Sequence, residues 1–394
     1  FMSKALQICD EDLALYQHAD RLIEAGDWLV WQLTNQETRS AAMAGYKALY
    51  QDGKFPSTDF LAALNPHFKD VTTAKIGSQF LPIGAKAGEL TSDMAKRLGL
   101  NPGVAVAVAN IDAHASAPAL QATEAGIMVL VMGTSTCHII SSEKQINVEG
   151  MFGVVQHGII PNLYGYEAGQ SGVGDIFAWF VENMVPKHYY DDAALAGQSI
   201  HEYLEAQAAK QAVGEHGLIA LDWWNGNRST LMNSNLSGII IGLTLATRAP
   251  DIYRALIEAT AFGTRRIIET YEAHGIEVRV LIAAGGLPQK NQLLRQIYAD
   301  VTGRDIKIAG TTLSSAVGSA IFAALAAGIY DSVQQASDVM GHYSDVIVSP
   351  NPENQAAYQK LYEMYQRLYD YLGHDVPSIM ADLKQNRNAL LVNK

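Results

Sequence analysis

The chain has 394 residues, a length that predicts two or three domains and allows sizeable buried cores. Hydrophobic residues make up 48% and charged residues 17%, which is typical of a globular protein and excludes a disordered or coiled-coil chain. The 28 Lys and Arg residues against 40 Asp and Glu residues give a net charge of −12. Such an acidic balance disfavours nucleic acid or an anionic membrane as a partner, but a small anionic ligand needs only a few local donors.

The cysteines and apolar runs indicate the cellular compartment and exclude some kinds of site. The two cysteines, Cys9 and Cys137, are far apart, which excludes a disulfide framework and a cysteine-rich zinc site and favours a reducing cytoplasm. The small apolar stretch 316–329 is too short to span a bilayer and predicts a buried helix. The histidines show no ligand spacing, so the sequence predicts no side-chain metal site.

The first third of the chain is predicted to be mostly helical. An apolar stripe over 19–33 predicts a helix that stops at Asn35. Ser92 is predicted to cap a short helix that ends at Gly99.

From Val104 the pattern changes to alternating strands and helices. We expect strands at 104–109, 127–132, 137–141, 278–284 and 305–308. Helices are expected over 113–122, 251–273 and 289–302 and from Ser314 onward. This alternation predicts an α/β fold with a mainly parallel sheet. A glycine-rich loop is expected over 165–172, and the tyrosine stripe over 358–372 predicts a packing helix that ends at Gly373.

Asp112 is the first candidate for a catalytic residue. It follows the apolar strand 104–109 and precedes a helix, so its local context favours an ordinary N-cap. The same place at the carboxyl end of a strand faces the ligand cleft in many α/β proteins. A carboxylate there is able to accept the proton of an attacking hydroxyl group.

Two glycine turns are candidates for phosphate binding. The turn of Gly133, Thr134, Ser135 and Thr136 offers backbone N–H groups and three hydroxyls, although a plain hairpin turn is an equally good interpretation. Gly285 and Gly286 lie between a strand and a helix, where glycine allows a ligand close to the backbone. That pair is also compatible with an ordinary tight turn. Neither turn is a Walker A loop or a GxGxxG fingerprint.

Two further charged residues are weaker candidates. Lys47 follows Gly45 and Tyr46, and most lysines in such a context are solvated. Glu167 lies in the predicted glycine-rich loop, where a carboxylate is able to receive sugar hydroxyls or to cap the following helix.

The order of these motifs is more informative than any one of them. Gly-Tyr-Lys at 45–47, Asn-Ile-Asp-Ala-His at 110–114 and Met-Gly-Thr-Ser-Thr-Cys-His at 132–138 are followed by Tyr-Gly-Tyr-Glu-Ala-Gly-Gln at 164–170 and Ala-Ala-Gly-Gly-Leu-Pro-Gln-Lys-Asn at 283–291. Together they resemble the FGGY family of carbohydrate kinases over nearly the whole chain. The strings at 132–138 and 165–170 resemble most closely the branch that acts on L-ribulose.

The resemblance implies an actin/hexokinase-like fold of two α/β domains, with a sugar and Mg-ATP bound between them. It implies Asp112 as the general base, and Lys47, Asp112 and Glu167 as sugar contacts. For ATP and its phosphates it implies Gly133, Thr134, Ser135, Gly285, Gly286 and Asn291. We expect residues 1–122 to be the later part of the sugar-binding domain and residues 123–394 to be the ATP-binding domain. The implied reaction converts L-ribulose to L-ribulose 5-phosphate in arabinose catabolism, with ATP and Mg²⁺ as cofactors. A homodimer is left open.

The sequence departs from the family pattern at its start. The family has an N-terminal Asp-x-Gly-Thr/Ser loop that contacts phosphate and helps to hold Mg²⁺, whereas this chain opens at Phe1-Met2-Ser3-Lys4. We therefore expect a C-terminal fragment that phosphorylates sugar slowly when alone. The alternatives are a kinase for another pentulose or polyol, or a non-catalytic relative that binds sugar or nucleotide. An actin-like ATPase is disfavoured because Lys47, Asp112 and Glu167 suit a polyhydroxyl ligand.

Overall fold

The computed structural model describes residues 1–374 and 379–392. The helices in this part of the chain are α1 (Met2–Glu11), α2 (Leu13–His18), α3 (Ala25–Thr34), α4 (Ala41–Ala48), α5 (Thr58–Leu64), α6 (Ser92–Leu98), α7 (Asp112–Ala119), α8 (Gly174–Met184), α9 (Lys187–Leu195), α10 (Ile200–Ala208), α11 (Ala249–Ala273), α12 (Gly286–Lys290), α13 (Gln292–Thr302), α14 (Ser314–Ala326), α15 (Val333–Met340), α16 (Pro352–Gly373) and α17 (Ile379–Val392). A 3₁₀ helix at Pro66–Phe68 and a π-helix at Thr72–Ile76 lie between α5 and α6.

The strands in the described residues are β1 (Arg39–Ser40), β2 (Phe80–Leu81), β3 (Lys86–Glu89), β4 (Ala105–Ala107), β5 (Ile127–Met132), β6 (Thr136–Ser142), β7 (Val154–Gln156), β8 (Tyr164–Gln170), β9 (Ile219–Leu221), β10 (Ile239–Ile241), β11 (Val280–Ala284), β12 (Ile306–Ala309) and β13 (Tyr343–Val348). Seven of them form the central sheet, in the spatial order β13-β12-β11-β5-β6-β8-β7. The pairs β1–β2, β3–β4 and β9–β10 are separate two-stranded sheets.

The central sheet is mixed. β11 runs parallel to β5 and β12, whereas the other four neighbouring pairs are antiparallel. The prediction of a mainly parallel sheet is therefore wrong. The reason is local: β5 and β6 are joined by a three-residue turn, which permits only antiparallel pairing, and no crossover helix stands between them.

The two faces of the sheet bury different side chains, because successive residues of a strand point to opposite faces. Met128, Leu130 and Met132 of β5 pack in the cluster that includes residues of α11, α13 and α16. Val129 of the same strand packs on the opposite side with Phe322 of α14. The sheet is thus covered by helices on both faces, which is the layered arrangement that the alternating pattern predicts.

The predicted glycine-rich loop over 165–172 is wrong in its main part, because residues 164–170 form the strand β8, paired with both β6 and β7. The glycines serve close packing instead. A Cβ atom at Gly165 would lie 2.5 Å from the Tyr46 hydroxyl, and one at Gly169 would lie 3.1 Å from Nη1 of Arg228. Glu167 therefore projects from a rigid interior strand rather than from a loop.

Several element ends differ from the predictions. Thr91, and not Ser92, caps α6 by accepting a hydrogen bond from the Met94 N–H. The expected helix over 289–302 is divided into α12 and α13 at Asn291, whose backbone is extended. The helix predicted over 19–33 begins only at Ala25, but it ends as predicted with Asn35 in the left-handed conformation.

Helix α16 confirms the packing predicted for its tyrosine stripe, and helix α14 confirms in part the burial predicted for the apolar stretch 316–329. Helix α16 ends at Gly373, and four tyrosines of its stripe are at most 1% exposed. Helix α14 buries only part of its surface, and its closest contact is with α7. A Cβ atom at Gly318 would lie 1.5 Å from the Ala115 carbonyl oxygen, so the two helices approach at backbone distance.

Candidate active site

Two glycine turns lie side by side at one edge of the central sheet. The parallel strands β5 and β11 end together, since Val131 pairs with Ala284. Gly285 has a φ of +99°, and a Cβ atom there would lie 2.1 Å from the Met132 carbonyl oxygen. Only glycine permits this approach. The turn after β5 and the turn after β11 are therefore held next to each other, at the edge where α/β proteins bind ligands.

The turn after β5 is also fixed to the start of α8. The Thr134 carbonyl oxygen accepts hydrogen bonds from Val173 N at 2.8 Å and Asp175 N at 3.2 Å, and the Gly133 oxygen accepts one from Gly174 N at 3.0 Å. These bonds satisfy backbone donors at the beginning of the helix. Gly133 and Thr134 themselves stay exposed at the turn, as a phosphate-binding turn requires.

A cleft of about 780 Å³ opens between these turns and the helices α8, α10, α11 and α12. Its size falls within the range of small-molecule sites. It is lined by Gly133, Thr134, Gly174, Asp175, Phe177, Ala178, Ser199, His201, Glu202, Glu205, Tyr253, Gly286, Leu287, Lys290 and Asn291. Four of the six residues predicted for ATP, namely Gly133, Thr134, Gly286 and Asn291, thus lie on one cleft. Gly285 packs closely on the Met132 backbone beside the cleft, and neither Gly285 nor Ser135 lines the cleft itself.

Asn291 is mainly a structural residue in this geometry. It is 7% exposed, and its Oδ1 atom caps α13 by accepting a hydrogen bond from Leu294 N at 2.7 Å. A hydrogen bond with Tyr253 also holds its side chain. Asn291 consequently shapes the cleft wall, because its polar atoms are engaged by the protein itself.

Asp112 is the first residue of α7. Its side chain is exposed, and its Oδ1 accepts a hydrogen bond from Ala113 N at 2.8 Å. The N-cap residue of this helix is Ile111 and no side chain caps it, so the prediction of an ordinary N-cap at Asp112 is wrong. Burial raises the pKa of the Cys137 thiol, and the nearby carboxylates of Glu167 and Asp112 raise it further. Asp112 therefore lies near Cys137, the second residue of β6.

Glu167 is the centre of a buried polar network. Its Oε2 lies 2.9 Å from His114 Nε2, and its Oε1 accepts a hydrogen bond from Arg228 Nη2 at 2.7 Å. Burial alone would raise the pKa of Glu167, but the bond and charge of His114 and the charge of Arg228 hold that pKa below its ordinary value. The carboxylate is thus ionised and fixed in place. His114 lies on α7, the helix that begins at Asp112, so the network ties that helix to β8.

Two buried polar atoms of this network lack a hydrogen-bond partner within the described residues: Nδ1 of His114 and the hydroxyl of Tyr46. The two rings meet edge to face with centroids 4.4 Å apart. Tyr46 precedes Lys47 in the Gly-Tyr-Lys motif. The motif therefore contacts the Glu167 network through the ring of Tyr46, which packs on His114.

Lys47 itself makes a different contact. Its Nζ lies 3.3 Å from Oε2 of Glu24 on the loop before α3. It lines a small cavity together with Asp27 and Arg39, neither of which is near the cleft residues named above. The structure therefore brings Asp112 and Glu167 together, whereas Lys47 is engaged by Glu24.

Sequence reasoning missed the partners that hold these residues. Arg228 was visible only as part of the Trp-Trp-Asn-Gly-Asn-Arg string at 223–228, and His201, Glu205 and Tyr253 had no sequence signal. Each of them lies on an element remote in sequence from its partner. Only the folded chain places them at the site.

Comparisons with known proteins point to one family of enzymes. Residues 128–327 match the C-terminal domain of the FGGY family of carbohydrate kinases. The chain is 48% identical over 388 residues to the ribulokinase of Halalkalibacterium halodurans, which covers 97% of this chain and 69% of that protein. It is 50% identical over 386 residues to the ribulokinase of Mycolicibacterium smegmatis, with 98% and 68% covered.

The chain belongs to the FGGY family of carbohydrate kinases. It is a ribulokinase-like sugar kinase, and membership of the family implies ATP as its cosubstrate. The chain spans about 69% of the length of the ribulokinases that it matches.

Solved structures support the same fold for this FGGY kinase. The xylulose kinase of Rhodospirillum rubrum superposes with a TM-score of 0.78 at 23% identity, covering 95% of this chain and 73% of that one. The ligand-bound xylulose kinase of Lactobacillus acidophilus gives a TM-score of 0.80 at 18% identity, covering 94% and 72%. At these identities the likeness shows the actin/hexokinase-like fold, which confirms the predicted fold class.

Two structural features are absent from the described residues. None of the helices in residues 1–374 and 379–392 combines the length and apolar character needed to cross a membrane. Within the same ranges no three His, Cys, Asp or Glu side chains come together in a group able to hold a metal ion.

Proposed function

We propose that this chain phosphorylates a ketopentose at the expense of ATP, with L-ribulose as the substrate and L-ribulose 5-phosphate as the product, a step of arabinose catabolism. The observation that carries the proposal is the His114–Glu167 hydrogen bond, which ties α7, the helix that begins at Asp112, to β8. β8 pairs with β6, the strand that follows the Gly133–Thr134 turn. A base and a fixed carboxylate on one side, and backbone turns on the other, are what phosphoryl transfer to a sugar requires.

In the proposed reaction the C5 hydroxyl oxygen of the sugar attacks the γ-phosphorus of ATP. A new oxygen–phosphorus bond forms while the bond from the γ-phosphorus to the β–γ bridging oxygen breaks, and ADP leaves. The hydroxyl proton passes to the exposed carboxylate of Asp112. The Gly133 N–H is bonded to the Ser135 carbonyl oxygen, so the turns at Gly133–Thr134 and Gly286 bind the phosphates through their remaining backbone N–H groups. The acidic chain offers no broad basic surface for this purpose.

The sugar contacts are proposed for Glu167 and Lys47. Both oxygens of Glu167 already accept a hydrogen bond, but each keeps a further lone pair for a sugar hydroxyl. Lys47 reaches the sugar only by leaving Glu24. That exchange costs little, because both side chains are partly exposed, at 39% and 23%, and such ion pairs contribute about 1 kcal/mol or less.

Mg²⁺ is proposed to accompany ATP. This ion keeps several water ligands and binds phosphate oxygens with only one or two carboxylates, so a three-residue cluster is not needed. Asp175 is exposed in the first turn of α8, and its backbone N–H donates to the Thr134 oxygen, so it fits such a role at the phosphate end of the cleft. When bound, the ion would neutralise charge on the phosphate oxygens.

The domain boundary stays a proposal, at residues 1–122 for the sugar side and 123–394 for the ATP side. Its support is that the seven strands of the central sheet all begin at or after Ile127, whereas β1 to β4 form only two small sheets. The slow turnover expected of this chain alone also stays a prediction. A rate equal to that of the longer ribulokinases would contradict it.

The test is an assay of ADP formation that compares L-ribulose, D-xylulose and glycerol as acceptors. The proposal expects ADP formation that depends on sugar and is fastest with L-ribulose. Replacement of Glu167 by alanine should reduce the preference for L-ribulose over the other acceptors. An unchanged preference would remove Glu167 from sugar recognition, and faster turnover of D-xylulose or glycerol would favour a kinase for another polyol.

A further inference from the structure

The part of the cleft beside α10 carries two carboxylates and one lysine. Glu202 and Glu205 of α10 line the cleft together with Lys290, whose charge acts on Glu202. Glu205 is bonded to the start of α13, beyond the last residue of α12, whereas Gly286 is the first residue of α12, so Glu205 lies away from the phosphate turns. Carboxylates repel the phosphates of a nucleotide. If a nucleotide binds here, as the proposed function requires, its phosphates lie at the glycine turns and its base lies against α10.

His201 gives this end of the cleft a partly exposed flat ring, which packs on Tyr253 and through it on Phe177, each of them only 2% exposed. The rings of Phe177 and Tyr253 have centroids 5.9 Å apart, and the His201 imidazole lies 6.0 Å from Tyr253. All three line the cleft. His201 Nδ1 is 3.2 Å from the Tyr253 hydroxyl, and burial lowers the pKa of His201, so the ring is neutral near pH 7. The rings form an uncharged wall of fixed orientation.

Glu205 is the most rigid polar group at this wall. Its Oε1 accepts hydrogen bonds from Gln292 N at 2.7 Å and from Leu293 N at 3.1 Å, so the side chain is tied to the first turn of α13. These two bonds use one carboxylate oxygen and leave Oε2 as an acceptor. Glu202 differs, because it is exposed and its Oε2 is engaged by Ser199 in a capping box.

We infer that Glu205 determines the base specificity of the kinase by accepting a hydrogen bond from the exocyclic amino group of adenine. Guanine and hypoxanthine carry a carbonyl oxygen at the same place, which the carboxylate repels. A fixed acceptor discriminates between bases, because the wrong base covers the carboxylate and leaves it unpaired. The inference rests on the proposed function, which places a nucleotide in this cleft.

Calorimetric titration of the unmodified protein gives the first test. ADP should bind at least about tenfold more tightly than IDP and GDP, the loss expected for a missing charged hydrogen bond. Equal affinities for ADP and IDP would overturn the inference without any variant. Failure of ADP itself to bind would overturn the proposed function instead, so the two failures are distinguishable.

The variant Glu205→Gln gives the second test. Its amide oxygen is still able to accept the two N–H groups of α13, while its NH₂ group is able to donate to a base carbonyl. ADP binding should weaken about tenfold and IDP binding should strengthen, with the melting temperature little changed. The control Glu363→Gln, on the exposed face of α16, should alter neither affinity. An unchanged ratio of ADP to IDP affinity in Glu205→Gln would overturn the inference. The inference would also be overturned if Glu205→Gln weakened the binding of ADP but not that of 2′-deoxy-ADP, because the carboxylate would then bind the ribose hydroxyl and not the base.

Discussion

Arg228 and Glu167 form a hydrogen-bonded ion pair, with Nη2 of Arg228 2.7 Å from Oε1 of Glu167. The Arg228 side chain is 32% exposed, whereas that of Glu167 is 13% exposed. The guanidinium also lies over the ring of Phe152, 4.3 Å from its centroid. The aromatic face and the carboxylate together fix the arginine, which in turn holds the carboxylate on β8 in one orientation.

Arg228→Ala should therefore impair the sugar side of the reaction selectively. The Glu167 carboxylate would lose its charged partner and with it its fixed orientation, so we expect KM for L-ribulose to rise about tenfold. KM for ATP should stay within about twofold, because Arg228 does not line the nucleotide cleft. Initial rates over a matrix of both substrate concentrations measure the two constants.

Arg228→Lys should give an intermediate KM, because lysine keeps the charge but not the planar fork of donors. Arg97→Ala, an exposed arginine on α6, should leave both constants unchanged. Equal rises in KM for sugar and for ATP would show a general loss of structure and would contradict the positioning role.

Alanine substitutions at Gly285 and Gly286 should have different effects, the first on stability and the second on nucleotide binding. A Cβ atom at Gly285 meets the Met132 backbone, and its φ of +99° suits only glycine, so Gly285→Ala should cost about 3 kcal/mol of stability or more. A Cβ atom at Gly286 meets no atom within 4 Å. Gly286→Ala should keep the wild-type melting temperature but weaken ADP binding severalfold, because the added methyl group stands in the cleft.

Differential scanning fluorimetry with and without ADP measures both effects. A Gly286→Ala protein that melts normally and binds ADP like the wild type would remove this turn from the nucleotide site.

The contact between α7 and α14 should be sensitive to a single methyl group. Gly318→Ala would place a Cβ atom 1.5 Å from the Ala115 carbonyl oxygen, and overpacking of this kind costs about 2–3 kcal/mol. Chemical denaturation should show this loss, whereas Ser319→Ala on the exposed side of α14 should change stability little. Because α7 carries Asp112, the displaced helix should also slow sugar phosphorylation. Unchanged stability of Gly318→Ala would contradict the close helix contact.

Buried Asp222 should make stability depend on pH. Burial raises its pKa to about 6, although a hydrogen bond from Gln170 and one from Tyr365 oppose the rise. Because the folded-state pKa lies above the unfolded value near 3.8, the folded protein resists ionisation of this group. The neutral Asp222 carboxyl therefore makes its full contribution to the free energy of unfolding below about pH 4, and this contribution is lost as the pH rises through about 6.

Asp222→Asn removes the ionisation. The difference in unfolding free energy between wild type and Asp222→Asn should therefore shift in favour of the variant by the order of 2 kcal/mol between pH 4 and pH 7. Denaturation curves of both proteins at the two pH values test this. A difference that stays constant with pH would contradict the raised pKa.

The sequence predicted those features that depend on neighbours along the chain. The continuous apolar run of β5, the glycine turn after it and the tyrosine stripe of α16 are all local patterns, and each is present. The resemblance of motif order to the FGGY family supplied the fold class, which periodicity alone did not determine.

Features that depend on long-range contacts could not be predicted. Glycine enrichment over 165–170 favours a loop in local terms, but here the glycines make room for Tyr46 and Arg228 beside an interior strand. The partners of Glu167 come from residues 53 and 61 positions away. Lys47 likewise gives no local sign that Glu24 engages it.

Formation of the sugar phosphate by wild type and Asp112→Asn tests the central claim most directly. The product is followed by ³¹P NMR during incubation with ATP, Mg²⁺ and L-ribulose, and ADP affinity is measured on the same samples. We predict a phosphomonoester signal from the wild type, a rate at least about a hundredfold lower for Asp112→Asn, and equal ADP affinity for both proteins. Wild-type and variant rates that agree within twofold, or no phosphomonoester from the wild type, would contradict the account.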